Sequence, residues 1–266
     1  MRLAAHVSGI GLLGPGLEGW PQARAILVGE SAYEPRPTVL PAPSLLPPAE
    51  RRRSGRVVKL VLAIAEEATT SAGVEAQQLP SVFASSGADG YNCHELCESL
   101  AATVPEVSPT RFTNSVHNAP AGYWSIATRA ERESTVLGAF DASFGAGLLE
   151  ALAQVALERT PLLLLAYDTE YPEPLRSKRP IPDAFGVALV LTPERSASSL
   201  AHIEVALTAA AFEPFTESGT LEQLRGAIPA ARSLPLLAAL AQRAARAVRI
   251  EYLAPQNLEV RISPCH

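Results

Sequence analysis

The chain has 266 residues, of which 47% are hydrophobic and 18% charged, with a mean hydropathy of +0.12. This is enough apolar sequence to bury the core of one large or two small domains, which excludes a largely disordered chain. The formal net charge of −5 provides no basic face for a phosphate backbone, so we predict no nucleic-acid partner.

Apolar runs alternate with helical patterns along the chain. The expected strands are 2–13, 81–85, 134–142, 161–167, 185–192 and 202–208, followed by a strand pair around 247–262. The expected helices are 18–28, 50–72, 92–103, 120–130, 145–158 and 220–246, the last broken near Pro229. The proline-rich segment 34–48 is expected to be an extended surface loop. This alternation predicts an α/β fold, layered α-β-α, with a mainly parallel mixed sheet buried on both faces.

The first residues lack the long apolar core of a signal peptide. The later apolar runs 162–166 and 187–192 are too short to cross a bilayer. Three cysteines are too few for a disulfide framework, and an odd number is typical of a reducing compartment. We therefore expect a cytoplasmic protein with no membrane span.

Six segments between residues 3 and 210 each match a segment of one known protein family. They are VSGIGLLGPG (7–16), GRVVKLVLAIAEEATTSAGV (55–74), VFASSGADG (82–90), SPTRFTNSVHNAPAGYWSIA (108–127), PLLLLAYDTE (161–170) and FGVALVLTPE (185–194). In this order and spacing they resemble the N-terminal half of β-ketoacyl synthases of the thiolase superfamily. The resemblance implies a thiolase-like half-fold, truncated relative to a full ketosynthase. Residues 1–213 would form the ketosynthase-like half, and 214–266 a helical tail with closing strands in the same domain.

Ketosynthases carry their nucleophilic cysteine at a sharp strand-to-helix turn, where the helix N-terminus lowers the thiol pKa. Here that turn reads FDASFG (140–145), and different alignment anchors assign the nucleophile position to Asp141, Ala142 or Ser143. None of the three is cysteine. The family also needs two histidines from its C-terminal half, whereas the one histidine after residue 210 is His266. The resemblance therefore implies a chain with no catalytic residue of its own.

The segments are most similar to short chain-length-factor proteins, which accompany an active ketosynthase in bacterial aryl polyene and type II polyketide pathways. That resemblance implies a heterodimer with an active β-ketoacyl synthase, an acyl carrier protein as second partner, and no metal or organic cofactor. In family dimers the strand matching 134–142 pairs across the two-fold axis, and the segment matching 109–114 closes the far end of the partner's acyl pocket. Arg111 and Phe112 are the candidates for the side chain that closes this pocket, which we call the stop. The other expected tunnel or interface residues are Ala88, Thr113, Asn114, His117 and Asn118.

Two other functions remain open from the residues alone. Ser143 would be the nucleophile of an independent acyltransferase or thioesterase, although the glycine expected two residues before such a serine is replaced by Asp141. The alternative role of Ser143 is to cap a helix that starts near Gly145. The second function is a homodimeric acyl-binding or scaffold protein without a ketosynthase partner. His117 is either a general base or, more commonly for such a histidine, a buried or interfacial hydrogen-bonding group.

Two further patterns have two interpretations each, and a third has one. Cys93 and Cys97 lie one helical turn apart, either as half of a zinc site or, as we expect, as ordinary buried thiols. The basic runs Arg51, Arg52, Arg53, Arg56 and Arg176, Lys178, Arg179 either meet a carrier protein or are solvated surface. The glycine-rich segment 86–90 lacks the Lys-Ser/Thr ending of a phosphate loop.

Overall fold

A computed structural model of the protein describes residues 2–212 and 219–265. The strands are β1 (Leu3–Gly14), β2 (Leu17–Glu18), β3 (Ser81–Ala84), β4 (Ser134–Leu137), β5 (Leu162–Asp168), β6 (Phe185–Thr192), β7 (Ala201–Thr208), β8 (Arg246–Glu251) and β9 (Asn257–Pro264). The helices are α1 (Trp20–Leu27), α2 (Pro48–Arg53), α3 (Arg56–Ala72), α4 (Gly90–Ala101), α5 (Pro109–Asn114), α6 (Ala119–Thr128), α7 (Ser143–Glu158), α8 (Gly219–Ala227) and α9 (Leu234–Ala241).

One sheet runs through the described residues in the order β4-β3-β5-β6-β1-β7-β9-β8, with β2 paired to β1. The pairs β3–β4 and β3–β5 are parallel, and the other pairings in the described parts are antiparallel. Strands β1, β3, β4 and β5 still run in one direction, because β6 is inserted in reverse between β5 and β1. The predicted mixed sheet is present, but it has fewer parallel neighbours than the strand–helix alternation indicated.

Helices cover both faces of the sheet, as the α-β-α prediction requires. On one face α3 and α6 pack against the buried side chains of β3, β5 and β6. On the other face α1, α7, α8 and α9 pack against the alternate side chains of these strands and of β1 and β7. Glycine makes the closest contact between layers: a Cβ at Gly11 would lie 1.9 Å from the carbonyl oxygen of Ile64, so α3 reaches the backbone of β1.

Several predicted boundaries differ from the structure. The expected helix 50–72 is two helices, because Ser54 and Gly55 have extended backbone between α2 and α3. The expected strand 134–142 ends at Leu137, and its second half forms a tight turn instead. Helix α5 was not predicted, and α7 begins at Ser143 rather than near residue 145.

The tail extends the same sheet. Strand β9 pairs with β7 along its whole length, and β8 pairs with β9. Helix α9 is fully buried and packs near α1. The proposed boundary between residues 213 and 214, and the terminal His266, lie outside the described residues.

One described helical stretch, Phe140–Glu158, is long and apolar enough by composition to cross a membrane. The sequence analysis did not single it out. Half of it is buried inside the protein, where α7 packs on β1, β3 and β5. That packing is what a core helix of an α/β domain requires.

Candidate functional site

The turn between β4 and α7 centres on Phe140. A short 3₁₀ turn, Phe140–Ala142, joins the strand to the helix, and Phe140 adopts a left-handed φ of 52°. Its ring is 64% exposed. A bulky residue in this conformation costs on the order of 1–3 kcal/mol, so the surrounding structure must hold it in place.

Ser143 is one of the groups that hold the turn. Its buried hydroxyl accepts a hydrogen bond from the Ala139 N–H at 3.0 Å and donates one to the Phe140 carbonyl at 2.7 Å. The helix starts at Ser143 itself, so the expectation that this residue caps a helix near Gly145 is wrong. Since the hydroxyl is buried and bonded to backbone groups, this geometry does not support a serine nucleophile.

Asp141 is paired with two arginines. Its carboxylate forms an ion pair with Arg179 and another with Arg232 at 3.2 Å. The Arg179 guanidinium also lies 3.9 Å from the centre of the Phe140 ring, in cation–π geometry. Arg232 continues the network to Glu251 at 3.4 Å. The Asp141 charge is thereby compensated, and the turn is tied to the 175–179 loop and to the tail.

A buried carboxylate, Asp168, lies at the end of β5. It accepts hydrogen bonds from the Ser86 N–H at 2.9 Å, the Ser86 hydroxyl at 2.6 Å and the Ala230 N–H at 2.8 Å. Burial raises the pKa of Asp168 to about 6, against the opposing effect of these hydrogen bonds and of Arg179. The glycine-rich segment 86–90 is thus bonded to the protein's own carboxylate at its first residue.

Ala88, His117 and Asn118 have different local environments. Ala88 has a left-handed φ of 54°, and its N–H donates to the Ser85 hydroxyl at 3.1 Å. The His117 ring packs against the end of β4, since a Cβ at Gly138 would lie 3.7 Å from its Nε2. Asn118 is exposed, and its carbonyl accepts from the Gly122 N–H at 3.1 Å at the start of α6.

The segment 109–114 is helix α5, and its side chains divide into fixed and projecting ones. Arg111 forms an ion pair with Glu95 at 2.8 Å. The Asn114 amide donates to the Arg53 carbonyl at 3.0 Å. Thr113 donates to the Pro109 carbonyl within its own helix at 2.9 Å. Phe112 is 69% exposed, so of the two candidates for the stop it is the one that projects from the surface.

Strand β4 is one end of the sheet. It is paired on one side with β3, and the described residues provide no strand on its other side. Large apolar side chains are exposed in the segments before and after it. They are Leu100, Val104, Val107, Phe112, Val116, Ile126 and Phe140. An unpaired edge strand and exposed apolar side chains are each typical of a protein interface.

A groove of about 590 Å³ lies between α2, α3, α4 and α5. Its basic lining residues are Arg52, Arg53, Arg56, Lys59 and Arg111, and its acidic ones are Asp89 and Glu170. Arg56 is paired with Glu170 at 2.7 Å, Arg53 with Glu50 at 3.2 Å and Arg111 with Glu95 at 2.8 Å. Among the described residues, Arg52 and Lys59 are therefore the lining cations without an ion pair. In the second basic run Arg179 is directed to Asp141, while Arg176 and Lys178 are exposed.

Cys93 and Cys97 are both exposed on α4, so the expectation of buried thiols is wrong. The helix turns this face to solvent because its contacts with the protein run through Gly90 and Asn92. No cluster of three or more metal-ligating side chains exists among the residues that the structure describes.

The family assignment rests on a match over most of the chain. Residues 20–251 match the family described as "Beta-ketoacyl synthase, N-terminal domain". The chain belongs to this family. No curated protein sequence matches it.

Solved structures of low sequence identity share the fold of this β-ketoacyl synthase N-terminal domain. One is a ketosynthase (ApeO) in complex with its chain length factor (ApeC) from Xenorhabdus doucetiae, with a TM-score of 0.74, 19% identity, and 97% of this chain and 99% of that chain covered. The ishigamide ketosynthase/chain length factor gives a TM-score of 0.73, 14% identity, and 99% and 100% coverage. The AntDE:AntF structure, a type II polyketide synthase acyl-carrier protein in complex with its ketosynthase bound to the hexaketide, gives 0.73, 12%, and 100% of both chains. These matches confirm the thiolase-like α/β fold.

Two arginines that hold the turn of this β-ketoacyl synthase domain were not predicted from the sequence. Phe140 was expected both at the end of the preceding strand and as the first residue of the turn, and its left-handed conformation was not predicted. Arg179 and Arg232 were not connected with Asp141, although both bind it. Their separations of 38 and 91 positions along the chain leave no local signal that could have paired them.

Proposed function

We propose that this chain is a non-catalytic, chain-length-factor-like subunit that pairs with an active β-ketoacyl synthase and shapes that partner's acyl tunnel. The observation that carries the proposal is the free edge of β4, which leads directly into a turn without cysteine. The similar structures support it, since two of them are complexes of a ketosynthase with a chain length factor. The partner would supply the cysteine and histidines for condensing malonyl units on an acyl carrier protein.

The state of the turn agrees with a retained but inactive site. An active turn presents a nucleophile to substrate, whereas here Ser143 is bonded to the backbone and Asp141 is neutralised by arginines. The tail contributes Arg232 and the Ala230 N–H to this arrangement.

Phe112 provides the test of tunnel shaping. In a complex co-expressed with a partner ketosynthase, Phe112→Ala should lengthen the product by one or more two-carbon units, because space opens at the far end of the tunnel. Phe112→Trp should shorten it, since overfilling a packed site costs about 1–3 kcal/mol. Product lengths are read by mass spectrometry.

The matched control is Leu157→Ala, which removes a 79% exposed apolar side chain. Leu157 lies at the C-terminal end of α7, whereas the turn precedes the N-terminal end of this helix. This substitution should leave product length unchanged. Unaltered products from both Phe112 variants in a complex of normal stoichiometry would refute the assignment of Phe112 as the stop. A lone chain that forms a stable dimer and ignores the ketosynthase would instead favour the homodimeric scaffold.

We also propose that the basic groove meets the acidic surface of the acyl carrier protein. Arg52→Glu should weaken binding of the carrier protein to the complex by about five-fold or more at low salt, and by less at high salt, because exposed charge pairs are screened. Arg261→Glu, on β9, is the control and should change the affinity little. If Arg176→Glu weakens binding while Arg52→Glu does not, the second basic run is the docking site. Affinity is measured by calorimetry at two salt concentrations.

A further inference from the structure

Two free thiols lie next to each other on the solvent side of α4. Cys93 and Cys97 are one helical turn apart, and both are exposed. Burial, the neighbouring Cys97 and a hydrogen bond between the two thiols raise the pKa of Cys93. The two sulfurs are therefore close neighbours, and no part of the proposed function uses them.

Contacts on the other side of α4 hold this pair in place. Asp89 caps the helix by accepting a hydrogen bond from the Asn92 N–H at 2.9 Å. The Asn92 amide donates to the Arg111 carbonyl at 2.9 Å, and Arg111 forms an ion pair with Glu95 at 2.8 Å. Because side chains project from a helix at fixed angles, these anchors on Asn92 and Glu95 set the direction and the spacing of the two thiols before any ligand binds.

The helical spacing disfavours a disulfide between the two thiols. Cβ atoms one turn apart in a helix are about 5–6 Å from each other, whereas a disulfide needs Cβ atoms about 3.5–4.5 Å apart. To form this bond, Cys93 and Cys97 would have to unwind α4 and break the contacts of Asn92 and Glu95. The pair therefore remains as two thiols while the helix is intact.

The same spacing suits a metal ion held between two sulfurs. A bond from a metal ion to a thiolate is about 2.3 Å long, so two thiolates on opposite sides of one ion are about 4.6 Å apart. Side chains one helical turn apart reach this separation. Zinc sites take four ligands, and no cluster of even three metal ligands exists in the described parts of the chain. Soft thiolates instead select Cu(I), for which two of them suffice in linear coordination.

We propose that Cys93 and Cys97 form a two-thiolate binding site for Cu(I). The ion forms one bond to each sulfur, both S–H bonds break and the two protons pass to solvent, so copper and sulfur keep their oxidation states. Since protons must leave, the affinity for Cu(I) rises with pH, by about ten-fold or more per pH unit near neutrality. This inference does not use the edge of β4 and is independent of the proposed partnership with a ketosynthase.

The test is competition for Cu(I) with the chelator bicinchoninate, whose copper complex is coloured. Without oxygen at pH 7, the wild-type chain should withdraw one Cu(I) per chain from this complex. Cys97→Ser should lower the affinity at least about ten-fold, because one of the two metal–thiolate bonds is lost. Cys265→Ser removes the buried thiol and should leave the affinity unchanged.

A matched variant tests the spacing of the thiols. Cys97→Ser combined with Ser99→Cys keeps two thiols on α4, but residue 99 projects from another face of the helix than Cys93. This variant should bind Cu(I) no more tightly than Cys97→Ser alone. Circular dichroism checks that each variant is folded, and native mass spectrometry counts the copper ions and chains in the complex. Wild-type affinity in either variant, or copper bound only between two chains, would overturn the proposal.

Discussion

Val136→Pro should abolish co-purification of this chain with the proposed ketosynthase partner, whereas Val136→Ala should leave that complex intact. The carbonyls of Glu133 and Leu137 accept hydrogen bonds from Ser81 and Ser85 of the β3 side. Backbone groups alternate along a parallel strand, so those of Ser134 and Val136 point to the free edge. Proline at 136 therefore removes a hydrogen-bond donor that only a strand from a partner would use.

The two substitutions at this position separate pairing from packing. Both remove the Val136 side chain, which packs on the α3 face of the sheet, but only proline removes the N–H. We expect the amount of ketosynthase recovered per copy of the affinity-purified chain to fall at least ten-fold for Val136→Pro. A loss of about 1.4 kcal/mol of binding free energy already produces a ten-fold change in affinity. Melting temperatures of the lone variants should be similar. A folded Val136→Pro chain that still co-purifies one to one would mean that the free edge is not the interface.

The sequence predicted the order of elements because hydrophobic periodicity reports which face of an element is buried. Strand β6 begins and ends at the predicted residues 185 and 192, since both of its faces are covered and its apolar run is uninterrupted. Strand β4 was predicted too long for the same reason. The residues after Leu137 are apolar as well, yet they turn at Phe140 to begin α7. Periodicity carries no information about a left-handed residue that distant ion pairs hold in place.

The candidate site was predicted in outline and missed in detail for a related reason. The segment 109–114 and the turn at 141–143 were located by resemblance. The turn directly follows the edge strand β4, whereas 109–114 forms helix α5, which contacts α4 and the Arg53 carbonyl of α2. The sequence did not indicate which side chains of the segment 109–114 project from the protein surface. Arg111 and Phe112 are neighbours in sequence, and only the contact of Arg111 with Glu95 distinguishes the fixed residue from the projecting one. Such long-range pairings depend on the assembled fold.

Asp168→Asn should change how the stability of the protein depends on pH. The carboxyl pKa is about 6 in the folded state against 3.8 for the ordinary group, so the folded protein binds a proton more tightly than the unfolded chain. The favourable contribution is complete below pH 3.8 and is lost as the pH rises through 6. The gap corresponds to a change of about 3 kcal/mol in the free energy of unfolding. Asparagine cannot titrate, so the stability of the wild type relative to Asp168→Asn should fall by up to this amount between pH 4 and pH 7.

The same variant should be less stable than the wild type at low pH, because the Asp168 oxygens serve Ser86 on one side and the Ala230 N–H on the other. An amide presents one oxygen and one NH₂, so one buried donor loses its acceptor, at a cost of about 1–3 kcal/mol. Urea unfolding at several pH values measures both effects, and the carboxyl carbon signal of Asp168 should titrate near pH 6. A stability difference that does not vary with pH, or a carboxyl midpoint below 4.5, would show that Asp168 is ionised throughout. The turn would then depend on a buried carboxylate that Arg179 and the hydrogen bonds fully compensate, and lowering the pH would loosen the segments around Ser86 and Ala230 rather than stabilise them.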